Sequence, residues 1–314
     1  MSDTPGQHVP PSESGAREVL RRLELDITVR LDGLLHGDYR GLVPGHGSEP
    51  GETREYAPGD DVRRIDWNVT ARLQKTHIRQ TIADRELDTR VVVDLSPSLD
   101  FGTARCEKRD LALAGTAAVG FLTARIGNRF GAILARPDHD EVIPVGQGRQ
   151  HLMAILDRIQ RHERLEGGRA DLGRSMQHLV SRGARRGLAV VISDFIGPER
   201  WDAQLRRVGL KHEVLAIEVV DPRELELPDV GVLSIVDPAT GELRDVQTSR
   251  ARLRDRYAAA AQQQRQEIAQ AIRDAGADHL QLSTDRDWLL DLAGFVTLRR
   301  KRDEIRPARS RRDR

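Results

Sequence analysis

Cysteine is nearly absent from this chain of 314 residues, and its scarcity excludes two kinds of site. The one cysteine, Cys106, has no partner for an internal disulfide and cannot by itself form a zinc site built on thiolates. The N-terminus also lacks the basic and then apolar stretch of a signal peptide. We therefore expect a protein of the reduced cytoplasm.

Long apolar runs and an excess of charge are missing as well. The longest uncharged stretch, residues 111–124, has 14 residues, whereas a membrane-spanning helix needs about 20. The 50 basic residues, of which only four are lysines, almost balance the 49 acidic ones. The sequence thus predicts no membrane span, and its net charge of +1 does not indicate a nucleic-acid partner.

The signature motifs of several common enzyme classes are absent too. The sequence contains no Gly-x-x-x-x-Gly-Lys-Ser/Thr phosphate loop, no Gly-x-Gly-x-x-Gly turn, no His-Glu-x-x-His and no Gly-x-Ser-x-Gly elbow. The classes that rely on these motifs, which are P-loop nucleotide triphosphatases, dehydrogenases, zinc proteases and α/β-hydrolases, therefore have no support.

What the chain does contain divides it into four segments. We expect a disordered tail at 1–16, an N-terminal helix with a small irregular or β-containing subdomain at 17–88, an α/β domain at 89–300 and a basic tail at 301–314. Within the second segment, the patterns predict a helix at 17–35 and a strand at 76–88.

Strands and helices alternate along the third segment. Predicted strands lie at 90–94, 129–134, 188–192, 214–220, 232–236 and 279–282, and predicted helices at 104–126, 150–161, 172–181, 201–208, 249–275 and 287–296. Such alternation is typical of a doubly wound α/β fold, whose mostly parallel sheet is covered by helices on both faces.

Oxygen-bearing side chains follow two of these strands. Asp94, Ser96 and Ser98 alternate in an extended segment and would face one spot, and Asp194 follows the strand at 188–192. Because parallel strands share one carboxyl edge, we expect the four side chains to meet there. Two carboxylates and two hydroxyls suit a divalent cation such as Mg²⁺. Ordinary turn and helix-cap chemistry is the alternative for the segment at 94–98.

A second constellation interleaves charges with aromatic rings at 54–72. Its members are Arg54, Tyr56, Asp60, Asp61, Arg63, Asp66, Trp67 and Arg72. Such a network can fasten a small subdomain to its neighbour, or it can form a partner-binding surface.

With these two groups of residues, the chain resembles the bacterial domain of unknown function family 58 over residues 17–300. The resemblance implies a von Willebrand factor A-like fold preceded by a small insertion. Family members tend to be encoded beside MoxR-type AAA+ ATPases, with which they are thought to cooperate.

The resemblance also implies roles for the oxygen-bearing residues. Asp94, Ser96 and Ser98 would form the first motif of a metal-ion-dependent adhesion site for Mg²⁺ or Mn²⁺, with Asp194 as its last aspartate. In such sites an acidic side chain of a partner completes the coordination of the ion. Ala170 stands where the family's threonine is expected, and the neighbouring Arg169 could supply positive charge in place of the ion. Asp171 is interpreted as a helix N-cap.

Three functions remain in competition at this point. The leading hypothesis is a non-catalytic module that binds a protein partner through the adhesion-type site, as adaptor or co-chaperone of a MoxR-type ATPase. A Mg²⁺-dependent hydrolase or phosphotransferase using Asp94 and Asp194 is the alternative, although it lacks an evident base. The third is nucleic-acid binding by residues 299–314, which hold nine basic and three acidic side chains; a solvated tail is the commoner meaning of such a run.

Overall fold

The computed structural model describes residues 20–31, 34, 53–56, 65, 67–73, 75–79, 87–125, 127–181, 185–197 and 200–305. Contacts divide the chain into a large unit, Met1–Pro44 with Leu87–Arg314, and a small unit, Gly45–Glu86. The predicted boundaries at 16, 88 and 300 remain predictions.

The small unit contains a two-stranded ladder and a short helix. Strand β1 (Thr53–Glu55) precedes helix α1 (Trp67–Leu73), and strand β2 (His77–Arg79) pairs with β1 in antiparallel fashion. The His77 backbone N–H donates to Thr70 Oγ1 at 3.0 Å, which links the middle of α1 to β2. In the described part of the predicted 76–88 strand, β2 and Asp88, the first residue of the next strand, are in strands, whereas Thr76 and Leu87 are not.

The large unit alternates strands and helices as expected. In chain order they are β3 (Asp88–Asp94), α2 (Lys108–Arg125), β4 (Arg129–Ala135), β5 (Asp140–Gly146), α3 (Gly148–Gln160), α4 (Leu172–Gln177), β6 (Gly187–Ser193), α5 (Trp201–Gly209), β7 (Glu213–Val220), β8 (Val232–Val236), β9 (Leu243–Gln247), α6 (Ala251–Asp274), β10 (Asp278–Ser283) and α7 (Trp288–Ile305). Residues 20–31 are also helical, in agreement with the predicted N-terminal helix.

Six of these strands form one sheet in the order β10-β7-β6-β3-β4-β5. All neighbours are parallel except the β4–β5 pair, which is antiparallel. Strands β8 and β9 form a separate antiparallel hairpin. The doubly wound, mostly parallel α/β fold is therefore confirmed.

Helices cover both faces of the sheet because its central strands are apolar on both sides. Val91 and Val93 of β3 pack in one core with α2, α3, α7 and the N-terminal helix. Val92, between them, points to the opposite core, which α4, α5 and α6 complete. This reversal at each residue is the period of two of a strand, and it explains why β3 reads as an unbroken apolar run.

Three elements differ from the sequence prediction. The edge strand β5 and the exposed strand β9 were not predicted, because their side chains are mostly half-buried or exposed and give little apolar signal. Helix α7 extends beyond the predicted end at residue 296 to Ile305. Arg299 and Arg302 therefore belong to a helix, where both pair with Asp278.

The parallel order places the carboxyl ends of β3, β6, β7 and β10 along one side of the sheet, here called the strand-end edge. No helix among the residues that the structure describes is long and apolar enough to cross a membrane.

Candidate site at the strand-end edge

Asp94 ends β3 and organises the turn that follows it. Its Oδ1 accepts hydrogen bonds from the Ser96 backbone N–H at 2.9 Å and from Ser96 Oγ at 2.6 Å. The Ser96 and Ser98 hydroxyl oxygens lie 3.2 Å apart. A 3-10 turn at Pro97–Leu99 follows, without a side-chain cap from Ser96. The segment is thus a turn held by a carboxylate, and it also gathers the three predicted oxygens at one place.

The neighbouring strand β6 brings Ser193 and Asp194 to the same place. Ser193 Oγ donates to Asp94 Oδ2 at 2.6 Å and accepts from the Phe195 backbone N–H at 3.0 Å. Asp194 Oδ1 accepts from the Ile196 backbone N–H at 3.0 Å. Because β3 and β6 pair in parallel register, both strands deliver their final side chains at the same edge.

The chain turns sharply immediately after Asp194. Phe195 has φ of 56°, in the left-handed region that side chains other than glycine seldom adopt. Its ring is fixed against Trp201, with the ring centroids 4.9 Å apart, and the Trp201 indole N–H donates to the Phe195 carbonyl. This packing holds the backbone that positions Asp194.

A buried lysine that the sequence reasoning missed completes the arrangement. The Lys108 side chain, at the start of α2, is fully buried, and its Nζ donates to Asp194 Oδ2 at 2.9 Å. The same Nζ also contacts Glu224 Oε1. The only available signal was the residue type, since Lys108 is one of four lysines in an arginine-rich chain and stands directly before an apolar helix.

The ion pair continues into a chain of alternating charges. Glu224 Oε2 accepts from Arg265 Nη2 of α6 at 2.9 Å, and Arg265 Nη1 donates to Glu218 Oε1 at 3.0 Å. Glu218, buried in β7, also lies 2.9 Å from His279 Nε2. Lys108 and Arg265 thus each bridge two carboxylates.

The two site aspartates have opposite electrostatic environments. Burial, together with the charge of Asp194, raises the pKa of Asp94 to about 6. Burial also acts to raise the pKa of Asp194, but the Lys108 ammonium outweighs it and the pKa is lowered. Burial opposes the charge of Lys108, yet Asp194 and Glu224 raise its pKa overall. Lys108 therefore stabilises the charge of Asp194, whereas no basic side chain among the described residues pairs with Asp94.

Comparison with known proteins places this chain in a family. Residues 52–267, which include both site aspartates, match the family described as "Protein of unknown function DUF58". The chain belongs to this family. It is 52% identical over 283 residues to uncharacterized proteins of Mycobacterium tuberculosis and Mycobacterium bovis, covering 90% of this chain and 89% of theirs. An uncharacterized protein of Mycobacterium avium is 44% identical over 160 residues, which are 51% of this chain and 94% of that one.

Solved structures give weaker similarities to this DUF58 chain. The conserved hypothetical protein BatB from Bacteroides thetaiotaomicron matches with a TM-score of 0.40 and 10% identity, over 68% of this chain and 99% of BatB. The SpRpn10 VWA domain matches with a TM-score of 0.37 and 12% identity, over 66% of this chain and 94% of that domain. Both TM-scores lie below 0.5, and the fold assignment accordingly rests on the sheet order.

The residues of the predicted middle motif have other roles in the structure. Ala170 is buried and presents only a methyl group. Asp171 caps α4, its Oδ1 accepting from the Arg174 backbone N–H at 2.8 Å, as predicted. Arg169 is partly exposed and lies 4.0 Å from Asp237 of the hairpin loop. The positive charge beside the site aspartates therefore comes from Lys108 and not from Arg169.

The remaining oxygens fit a hard cation. Asp94 offers a buried carboxylate without a paired base, and Ser96 and Ser98 offer two adjacent hydroxyls, a donor set that Mg²⁺ accepts. Asp194, the fourth predicted ligand, is already bonded to Lys108. Among the described residues no group of three or more His, Cys, Asp or Glu side chains is arranged to hold a metal. A metal at this edge would thus depend on Asp94 and the two serines.

The second predicted constellation lies in the small unit and is described in part. Arg54 sits in β1 opposite Ile78, and Tyr56 follows that strand with its backbone N–H donating to the Thr76 carbonyl at 2.8 Å. Trp67, at the start of α1, is 70% exposed, and Arg72 near its end is exposed. The other four members, Asp60, Asp61, Arg63 and Asp66, lie outside the described residues.

Proposed function

We propose that this DUF58 protein is a non-catalytic interaction module that binds a protein partner at the strand-end edge. The observation that carries the proposal is the state of Asp94, a buried carboxylate with hydrogen bonds but no paired base, beside the hydroxyls of Ser96 and Ser98. Buried charges in proteins are normally paired or bound to a metal. Asp94 has the environment of a residue whose counter-charge comes from a ligand.

The ligand in this proposal is Mg²⁺ or Mn²⁺, held by Asp94, Ser96 and Ser98. Bound there, the ion would supply a Lewis-acidic contact for a carboxylate of the partner. The residues of the chain would hold the ion, and Ser193 would keep Asp94 oriented through its hydrogen bond to Oδ2. Asp194 would stay outside the ligand set because Lys108 already occupies its Oδ2.

The partner in this proposal is a MoxR-type AAA+ ATPase of the cytoplasm, or its client, with this chain as adaptor or co-chaperone. The support is the family resemblance, because the geometry of the site selects only the chemistry of the contact. The exposed aromatic Trp67 and the basic Arg72 of the small unit offer a second surface for the same partner.

A hydrolase or phosphotransferase using Asp94 and Asp194 receives less support from the geometry. Catalysis would need one of the two carboxylates as a base, or both around a metal-activated water. Asp94 instead accepts from Ser96 and Ser193, and Asp194 accepts from Lys108. Lys108 neutralises the charge of Asp194, so Asp94 alone would have to serve as the base.

Substitution of Asp94 tests the proposal directly. Purified wild type and Asp94→Ala are compared for binding to the neighbouring MoxR-type ATPase by biolayer interferometry, at one fixed Mg²⁺ concentration because the ATPase needs the ion as well. We expect binding to fall by at least about tenfold, since a charged metal ligand is lost, while the circular dichroism spectrum stays unchanged.

The matched control is Asp255→Ala, which removes an exposed carboxylate from α6. It should bind like wild type. Equal binding by Asp94→Ala and wild type would refute the proposed role of the strand-end edge.

A further inference from the structure

Two helices of the large unit expose apolar side chains where a surface helix normally exposes polar ones. In α7, Leu290, Gly294 and Leu298 are exposed and follow one another at intervals of four residues, so they form one stripe along the helix. In the N-terminal helix, residues 20–31, Leu25 and Val29 have the same spacing and are also exposed. Each of the two leucines of α7, and each of the two apolar residues of the N-terminal helix, is more than half exposed.

The N-terminal helix and α7 contact each other and cover the same face of the sheet. Ile27 packs in the same core as Leu289 of α7. Arg30 Nη2 also donates to Asp287 Oδ2 at 2.5 Å, immediately before α7 begins. The two exposed stripes therefore belong to one side of the large unit. We call this side the leucine face and define it by Leu25, Val29, Leu290, Gly294 and Leu298.

The charged side chains exposed on these two helices are all basic, among the positions whose exposure the structure describes. Lys301 and Arg302 follow Leu298 by three and four positions and so continue the stripe of α7. Asp291, beside the stripe, is half-buried. The exposed basic residues are Arg21, Arg22 and Arg30 in the N-terminal helix and Lys301 and Arg302 in α7. Because the whole chain has 50 basic and 49 acidic residues, the leucine face has a local positive charge that the net charge conceals.

The sequence after α7 adds to this charge. Residues 306–314 contain five arginines and one aspartate. Near the end of α7, Arg302 pairs at 3.2 Å with Asp278, which is the first residue of β10. Parallel strands begin at the edge opposite the one at which they end. The basic end of the leucine face and the proposed partner site therefore lie at opposite edges of the sheet.

We propose that the leucine face binds the surface of an anionic lipid bilayer. Helices that lie in a membrane interface combine leucine and other apolar side chains, which enter the acyl boundary, with lysine and arginine, which contact anionic headgroups. The leucine face presents both kinds of side chain. This inference goes beyond the proposed function and does not depend on the strand-end edge.

Two other occupants match only part of this chemistry. Nucleic acid would pair its phosphates with the basic residues, but the phosphate backbone gives no apolar contact to leucine and valine. A second copy of this chain would cover the apolar side chains, but it would bring two basic surfaces together. An anionic bilayer complements the charge and the apolar side chains at once.

Flotation of the full chain with liposomes tests the proposal. One set of vesicles contains phosphatidylcholine alone, and the other contains phosphatidylcholine with about one third phosphatidylglycerol. We expect the wild type to float with the anionic vesicles and not with the neutral ones at low salt. Binding should weaken as the salt concentration rises, because salt screens the attraction between basic side chains and headgroups.

Variants of exposed residues separate the apolar from the charged contribution. We expect Leu290→Gln combined with Leu298→Gln to lower the affinity for anionic vesicles by at least about tenfold, because two apolar side chains no longer leave water. The matched control is Leu210→Gln combined with Leu243→Gln, which removes two exposed leucines from α5's C-terminal end and from β9 and should bind like wild type. Circular dichroism checks that both variants are folded. Lys301→Gln should weaken binding and reduce its salt dependence.

The proposal is overturned if the wild type does not float with anionic vesicles, or if the Leu290 and Leu298 variant floats as well as the wild type. In the second case, DNA retention that the variant shares with wild type would identify nucleic acid as the ligand of the basic residues. A wild-type dimer in analytical ultracentrifugation that the leucine variant lacks, without flotation, would instead identify a self-association surface. No ATPase is present in these experiments, so their outcome is independent of the ATPase-binding measurement.

Discussion

Asp94 and Asp194 show how single residues with the same side chain differ through their surroundings. Both are buried at the end of a parallel strand, and each accepts a backbone N–H two residues further along the chain. Lys108 lowers the pKa of Asp194 against the effect of burial. Burial and the charge of Asp194 raise the pKa of Asp94. The difference lies in the contact with Lys108. It makes Asp194 part of a structural ion pair, whereas Asp94 remains available to a ligand.

At this scale we predict that Asp94→Asn stabilises the metal-free protein at neutral pH. The carboxyl has a pKa of about 6 in the folded chain and near 3.8 when unfolded, so the folded state holds its proton more tightly. The protonated carboxyl contributes its full stabilisation when the pH is below the pKa of the unfolded chain. This contribution is lost as the pH rises through the folded pKa of about 6. Asparagine is neutral throughout, and Ser193 Oγ can accept from its amide.

Urea denaturation in the presence of a chelator measures the effect. We expect Asp94→Asn to exceed wild type by about 1–3 kcal/mol in free energy of unfolding at pH 7.5, as a shift of about two pKa units implies. The difference should shrink as the pH falls below 6. A variant less stable than wild type at both pH values would contradict the assigned environment of Asp94.

At the scale of elements, helix α2 shows how packing controls what each position tolerates. This helix carries Lys108 at its first turn and packs on the sheet and on α3. Two of its glycines are buried on these contacts. A methyl group at Gly115 would have its nearest neighbour, the Cδ1 of Ile192, at 3.5 Å, whereas at Gly120 it would meet Leu152 Cδ1 of α3 at 2.3 Å.

We therefore predict opposite effects for two identical substitutions in one helix. Gly115→Ala should raise the free energy of unfolding by about 0.5–1 kcal/mol, because alanine restricts the unfolded chain and favours the helix. Gly120→Ala should lower it by about 1–3 kcal/mol, since the buried Leu152 must move. Thermal and urea denaturation of both variants measure the difference, and equal effects would mean that α2 and α3 are not packed as described.

At the scale of the whole molecule, the parts predicted from sequence are those with a local signal. Val91, Val92 and Val93 belong to a strand buried on both faces, and their run identifies it without knowledge of any partner. Asp94 and Asp194 could be brought together because parallel strands share an edge, a rule that needs only the order of elements. Asp171 could be predicted as a cap because capping involves residues three apart.

What could not be predicted depends on contacts between distant residues. Lys108 and Asp194 are 86 positions apart, and no periodicity links them. The hypothesis that Arg169 supplies positive charge at the site relied on its position in the sequence. In the structure its guanidinium lies 4.0 Å from Asp237 instead. Strand β5 was missed because an antiparallel edge strand with one exposed face lacks the continuous apolar run of β3.

The same long-range network makes a prediction about the whole large unit. Arg265 of α6 contacts Glu218 of β7, Glu224 of the following turn and the Asp194 carbonyl after β6, so one guanidinium joins segments from three parts of the chain. Glu218 is buried, and the loss of Arg265 would remove its charged hydrogen bond.

We expect Arg265→Met to lower the free energy of unfolding by about 3 kcal/mol or more, because breaking a buried ion pair leaves a buried charge uncompensated. The matched control is Arg273→Met on the same helix. Its exposed guanidinium donates to Gln270, and the substitution should change the free energy of unfolding by less than about 0.5 kcal/mol. Urea denaturation monitored by tryptophan fluorescence compares the two. If both variants unfold at the same urea concentration, the network contributes no more than surface charges do, and the fixed position of Lys108 would need a different physical cause.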